Sequence, residues 1–433
     1  MNVLGIIASG VAALFITVAL AKSARRVALR PHVPDEPGGR APRAEALRRT
    51  GGATAVLGVG TATGVALWLG AADDAAGSVG GLLAGAGIVA ALGLVHDLKP
   101  LWAALRLGVQ IAAAILVVCL AGLSPAAGIL AALWIVLVTN AFALLDHADG
   151  LLTAVGLVTA AGLLTCALAG GAPALALLPT TLVAGLAGFL LHTWHPARLR
   201  LGAAGAQFTG FALAASGALI QAAAPSGRAA WAALPALATV ALADSALVLI
   251  SRRRAARSPL RDADDHIAHR LRRVRVTVPG AAVLTALWAA VPVATGTLVY
   301  AELLYPAFLL LPLAGTVAAV FALLRIPAYA PPRTAPPRTG SSRTTPPRTA
   351  SPGVTHSRTA SSGATPSRTA AARRTEASGA TVPAAASAPG AKGSAPGQGA
   401  SAAAKTAAGH PTVPPPPTGR PVAETATAAA ERG

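Results

Sequence analysis

The sequence predicts an all-α, polytopic membrane protein of about eleven transmembrane helices. Three observations carry that prediction. Hydrophobic residues make up 54% of the 433 residues and charged residues only 12%. Apolar runs of about 20 residues recur, the length needed to cross a bilayer. Alanine and glycine crowd those runs, which suits close helix packing in lipid. A soluble domain is excluded by the same pattern. The net charge of +19 does not point to nucleic acid, because the basic residues sit in loops and in the C-terminal tail. Membrane topology and contact with anionic lipid explain them there.

The first run covers residues 3–21. Ala19-Leu20-Ala21 looks like a signal-peptide cleavage site, but Lys22, Arg25 and Arg26 follow it and no basic residue precedes it. An uncleaved helix with its N-terminus outside is expected. Ten further spans are expected at 51–71, 79–95, 104–123, 126–145, 151–170, 174–193, 207–224, 230–250, 278–300 and 303–325. This topology places loops 22–50, 96–103, 146–150, 194–206 and 251–277 on the cytoplasmic side. Those loops hold 20 Lys and Arg, against Arg228 alone in the outer loops, the asymmetry of the positive-inside rule. Trp68 and Trp231 fall at outer ends, Trp102 and Trp194 at inner ends, as an aromatic belt requires. Cys119 and Cys166 lie inside apolar runs and read as packing residues with no disulfide framework. The membrane domain is expected over 1–325. Residues 326–433, rich in Pro, Ala, Ser, Thr and Gly, read as a disordered, basic cytoplasmic tail with an Arg-Thr repeat starting at Arg333. The localisation that follows is the plasma membrane, multi-pass, with the active face in the cytoplasm.

Acids are scarce, and the expected inner ends of the spans collect most of the loop acids and histidines. They are His96 and Asp97 in GLVHDLKPL, then Asp146, His147 and Asp149 in VTNAFALLDHADGLLTAV, then His192 and His195 before HPARLRLGAAGAQFTG. Asp244 lies inside the ninth run. Asp262, Asp264, Asp265, His266 and His269 stand among nine basic residues in loop 251–277. Charges at a membrane edge are costly unless they do something. Asp146 and Asp149, three apart, either share one helical face or sit on a polar loop turning at Gly150. Carboxylates converging on one face suit a divalent cation such as Mg²⁺. Arginines and histidines suit phosphates.

These motifs resemble the polyprenyl-phosphate N-acetylhexosamine-1-phosphate transferase family, which includes the phospho-N-acetylmuramoyl-pentapeptide transferase of peptidoglycan synthesis and undecaprenyl-phosphate GlcNAc-1-phosphate transferases. The likeness runs in order over about residues 1–325. PDEPGGR with Gly51-Gly52 resembles the first cytoplasmic loop. GLVHDLKPL resembles GLxDDxxxL, and NAFALLDHADGLLTAVG resembles NxxNLxDGxDGLAxG. HPARLRLGAAGAQFTGF resembles HPAxxFxGDxGSxFxGF. Asp244, the arginine run and SPLRDADDHIAHRL resemble D…RR…SPxxxDxxHxHHRL. The resemblance implies a transferase that moves a sugar 1-phosphate from a UDP-sugar to polyprenyl phosphate, releasing UMP, in cell-wall or envelope polysaccharide synthesis. It implies Mg²⁺ or Mn²⁺ as cofactor, Asp97, Asp146 and Asp149 as catalytic residues, and Asp97 and Asp149 as metal ligands. It implies Asn140, Arg198, His266, His269 and Arg270 as substrate-binding residues. The expected partners are the UDP-sugar, polyprenyl phosphate and membrane lipids, with a homodimer as a candidate assembly and no nucleic acid.

The chain departs from the family pattern at the site. His96 replaces the first Asp of the pair, Ala143 the second Asn, and His147 the Gly between the later aspartates. Ala203 and Ala206 replace the Asp and Ser of GDxGS, and Ala268 replaces the middle His of HxHH. Asp262 and Asp264 are stand-ins for the Asp before that motif. Alanine has no metal-binding atom, and histidine suits Zn²⁺ better than Mg²⁺. The rival expectation is therefore a catalytically inactive relative that binds the lipid carrier or a protein partner. A transporter is a third class, and the spans show no internal duplication to favour it.

Overall fold

The computed structural model describes residues 3–28, 42–224, 227–257 and 265–329. The expected tail beyond residue 329, the PDEPGGR stretch, and Asp262 and Asp264 lie outside these residues. The chain divides into a unit over Met1–Ser341 and a second over Ser342–Gly433, and only the first contains described residues. It is all helix, with no strand among the described residues.

Among the described residues thirteen α-helices follow in order: α1 (Val3–Ala28), α2 (Pro42–Trp68), α3 (Ala76–Leu98), α4 (Ala103–Leu120), α5 (Pro125–Leu144), α6 (Leu151–Ala169), α7 (Leu177–Thr193), α8 (Gly202–Ala222), α9 (Gly227–Leu237), α10 (Thr239–Arg254), α11 (Ile267–Arg273), α12 (Val278–Tyr300) and α13 (Leu310–Leu324). Ten helices among the described residues are long and apolar enough to cross a membrane. They match ten of the eleven expected spans. This is a multi-pass membrane protein.

The expected span 230–250 is the exception, because the structure splits it into α9 and α10. Pro235 sits inside α9, where it removes a backbone donor and crowds the preceding turn. The helix stops two residues later, and Ala238 leaves helical geometry at φ −115° and ψ 9°. The carbonyls freed at the break find partners. Thr159 donates to the carbonyl of Leu237 at 3.1 Å, and Thr239 donates to Pro235 and Ala236 at 3.0 Å. Where water is absent, such side chains are what makes a broken helix tolerable.

The central element is α8. Its apolar window is 94% buried, and α2, α3, α5 and α6 pack around it. Its sequence, GAAGAQFTGFALAASGALIQA, explains why: small residues let neighbouring backbones come close. At Gly93 on α3, an added Cβ would lie 2.6 Å from the carbonyl oxygen of Ala203 at the start of α8. At Gly52 on α2, it would collide with the carbonyl oxygen of Leu201. The contrasting α13 shows only 17% of its window buried. Cys166 is buried, as expected of a packing residue, whereas Cys119 is exposed on α4, and neither is in a disulfide.

Candidate active site

The turn between α5 and α6 holds Asp146, His147 and Asp149, so the two acids lie on a loop and not on one helical face. Gly150 closes the turn with φ +71°, a left-handed conformation that favours glycine. It then opens α6. Around this turn the structure builds two arrangements of acid and histidine.

The first joins Asp149 and Asp97 to the segment 195–204. Asp149 Oδ2 accepts hydrogen bonds from His195 Nδ1 at 2.8 Å and from the Ala197 N–H at 3.2 Å. Its Oδ1 accepts from Arg200 at 2.9 Å. Burial works against the charge of Asp149, but His195, Arg200 and the Ala197 N–H outweigh it and hold the carboxyl below its ordinary value. Asp97 comes from the end of α3 and receives the Ala203 and Ala204 N–H groups, each at 3.1 Å, one on each carboxylate oxygen. Leu201, at the N-cap of α8, offers no side-chain bond. Asp97 therefore caps α8 from another helix, where the orphan donors and the helix dipole both favour a carboxylate. His96 is turned to local use, its Nδ1 accepting the Leu101 N–H at 2.9 Å.

The second arrangement lies on α10 and α11. Asp244 is fully buried. Its Oδ2 meets His266 Nδ1 at 2.8 Å, and its Oδ1 accepts the Ile267 N–H at 2.7 Å, capping α11. The ring of His147 stacks on His266 with centroids 4.0 Å apart, and His269 is 5.1 Å away. His147 is the link between the two arrangements. Burial keeps its imidazole neutral and pulls its pKa down to about 4. Beneath them, Arg252 forms a buried pair with Asp265 through Nε at 2.9 Å and Nη2 at 3.1 Å. Tyr329 donates to the same carboxylate at 2.7 Å.

Several expectations change here. Arg270, expected at the substrate, is only 2% exposed. Its guanidinium is spent on the carbonyls of Asp265, Leu323 and Ile326 and on Ser251. It fastens α11 to the end of α13, and a soluble phosphate has no path to it. Asn140 donates to Gln110 and to the Val136 carbonyl on the α4–α5 face. Arg198 is exposed, and His266 and His269 gather beside the 145–150 turn. His195 and Arg200 were visible in the HPARLR stretch but were not expected to grip Asp149. Tyr329 lay beyond the expected domain boundary, and a lone tyrosine in a polar tail carries no signal.

The carboxylates expected to hold Mg²⁺ do not fit it. Every oxygen of Asp97 and Asp149 already accepts an N–H from the protein. Arg200 neutralises one of the two, and a methyl group stands at Ala203. Mg²⁺ binds through one or two carboxylates, with water and phosphate completing its shell, and the oxygens of Asp97 and Asp149 are committed to N–H donors instead.

Comparison with known proteins decides the ancestry. Residues 79–221 match the model of glycosyl transferase family 4. That stretch contains Asp97, the 145–150 turn and segment 195–204. A Streptomyces coelicolor protein, SCO3672, whose name places it among the glycosyltransferases, is 40% identical over 332 residues, covering 74% of this chain and 77% of its own. This chain belongs to glycosyl transferase family 4. A Bacillus subtilis relative, named as an undecaprenyl-phosphate N-acetylglucosaminyl 1-phosphate transferase, is 26% identical over 223 residues, covering 48% of this chain and 61% of its own. Family 4 enzymes use polyprenyl phosphate and a nucleotide-sugar, and they generally depend on a divalent metal. The resemblance read from the motifs is thereby borne out at the level of family.

Proposed function

We propose that this chain transfers a sugar 1-phosphate of the HexNAc type from a UDP-sugar to polyprenyl phosphate, in envelope polysaccharide synthesis. The observation that carries the reading is convergence. Acids from the end of α3 and from the α5–α6 turn both seize the basic segment 195–204, beside the histidines of α11. In the reaction, an oxygen of polyprenyl phosphate attacks the β-phosphorus of the donor. A new P–O bond forms, the bond to the bridging oxygen breaks, and UMP leaves with that electron pair. Position and electrostatics supply most of such catalysis.

The chain's own residues divide these tasks. Asp97 and Asp149 are positioning residues: they fix the start of α8 and the loop before it. Arg198 and Arg200 bring exposed cations to that loop, and guanidinium groups suit diphosphate oxygens. Asp146, on the same turn as Asp149, is the acid assigned to the substrate side. The N-terminus outside, the tail inside and the site facing the cytoplasm follow from the charge asymmetry of the loops.

A second reading has one specific observation in its favour: Ala203 stands where the family motif has an aspartate. It makes the chain an inactive relative that binds the lipid carrier or a partner. Release of UMP separates the two readings. The purified full chain is given polyprenyl phosphate and a panel of UDP-sugars with Mg²⁺ or Mn²⁺. The transferase reading expects UMP that requires both substrates. The inactive reading expects lipid binding with no UMP from any donor.

A further inference from the structure

The last span, α13, adds little to the bundle. Within the helix only Thr316 and Leu323 are buried, and Leu310, Leu311, Leu313, Val317 and Phe321 are exposed along it. Thr316 accepts one bond from Trp288 midway along it. The rest of its hold is at the C-terminal end. There Leu323 packs with Leu247 of α10 and Ile267 of α11 in a hydrophobic cluster separate from the main core. The last carbonyls of a helix lack partners within it, and a cation there is favoured by the helix dipole. Arg270 Nη1 donates to the carbonyls of Leu323 at 2.7 Å and, just past the helix, of Ile326 at 2.6 Å. Its Nε reaches back to the Asp265 carbonyl at 3.0 Å. Arg273 donates to the Pro327 carbonyl. Tyr329 completes the junction. Its hydroxyl donates to Asp265 Oδ2 at 2.7 Å, and the Arg257 guanidinium lies 4.1 Å from its ring centre, a cation–π contact.

The element held in this way is α11, and seven residues are too few for a helix to hold itself. Its N-cap is His266, the direct neighbour of Asp265. From one side Asp244 of α10 meets His266 Nδ1 and accepts the Ile267 N–H. From the other side residues 323–329 take Asp265, Arg270 and Arg273. His266 and His269 stand beside the His147 ring between these two holds. We propose that the C-terminal end of α13 and residues 325–329 form a clamp that positions His266 and His269 against the 145–150 turn. Arg270 and Tyr329 are its positioning residues, and both act through Asp265. The last span thereby belongs to the machinery of the site. The clamp does not rest on the transferase reading; only its effect on turnover does.

The test uses the full chain in detergent with the variants Tyr329→Phe and Tyr329→Ala, and Arg254→Gln on the exposed end of α10 as control. Tyr329→Phe removes one hydrogen bond to a carboxylate, so amide hydrogen exchange over residues 265–277 should run about fivefold faster. Tyr329→Ala also removes the ring beneath Arg257 and should take the change beyond roughly tenfold. Segment 195–204 and the control should exchange as the wild type does. The imidazole nitrogen resonances of His266 and His269, identified with His266→Gln and His269→Gln, should shift in Tyr329→Ala, while that of His195 stays. In UMP release the KM for the UDP-sugar should rise with kcat unchanged, the sign of lost ground-state binding. Unchanged exchange over 265–277 in Tyr329→Ala would overturn the clamp. Faster exchange with unmoved histidine resonances, or with an unchanged KM in active protein, would overturn its positioning of the site. A wild type that releases no UMP overturns only the transferase reading, because exchange and the histidine resonances still decide the clamp.

Discussion

Asp97 and Asp244 each hold the first turn of a helix whose own N-cap residue makes no side-chain capping bond. The sequence marked both acids, because charge at a membrane edge is conspicuous. It did not mark their partners, since a backbone N–H leaves no trace in residue identity. Asp97 was therefore expected on a metal and is found on α8. Asp97→Asn replaces one accepting oxygen by an NH₂ that faces another N–H. It should cost about 2 kcal/mol, the scale of a hydrogen bond to a charged group, read as a lower unfolding midpoint in detergent. Addition of Mg²⁺ should not restore that loss; rescue by Mg²⁺ would return Asp97 to the role of ligand. Tyr329→Phe should weaken the junction of α11 and α13 by about 1 kcal/mol, since the Asp265 carboxylate keeps Arg252 but loses the phenol.

At the scale of elements, helix existence was legible and helix continuity was not. Ten apolar runs became ten helices long enough to span a membrane. The eleventh, 230–250, read as continuous because its apolar composition outweighed Pro235. The structure shows the proline ending α9, with Thr159 and Thr239 serving the freed carbonyls. The glycine pair at 51–52 was legible as a motif but not as packing. Both residues abut the Arg200–Leu201 backbone at the start of α8. The close approach at Gly93 gives a direct check. Gly93→Ala forces a methyl against the backbone of Ala203 and Ala204, and overpacking of this kind costs about 1–3 kcal/mol. The expected signature is a lower unfolding midpoint together with protease sensitivity of segment 195–204. Gly87→Ala on the same helix, where nothing lies within 4 Å, should show neither.

Over the whole molecule, the family and the helical bundle were readable because motif order and apolar length survive divergence. The chemistry was less readable, because this chain has replaced acids by alanine or histidine at the positions that would declare it. Segment 195–204 gathers two of the three expected catalytic acids, while Arg270 proved to be buried framework. Ala203→Asp adds a carboxylate beside Asp97. Without metal, two like charges at that spacing should lower the unfolding midpoint, and Mg²⁺ should raise it again by binding between them. An unchanged midpoint in both conditions would contradict the placement of a side chain at 203 beside Asp97. Topology is checked by cysteine labelling of intact cells: loops 22–50 and 251–277 should resist impermeant reagents, and labelling from outside would reverse the orientation. The most direct measurement is UMP release by the full chain compared with its Asp146→Asn variant, with polyprenyl phosphate and the UDP-sugar panel. The account predicts release that needs both substrates and falls about 100-fold in the variant, with an unchanged unfolding midpoint. Wild-type protein that binds the lipid yet releases no UMP from any donor would contradict it.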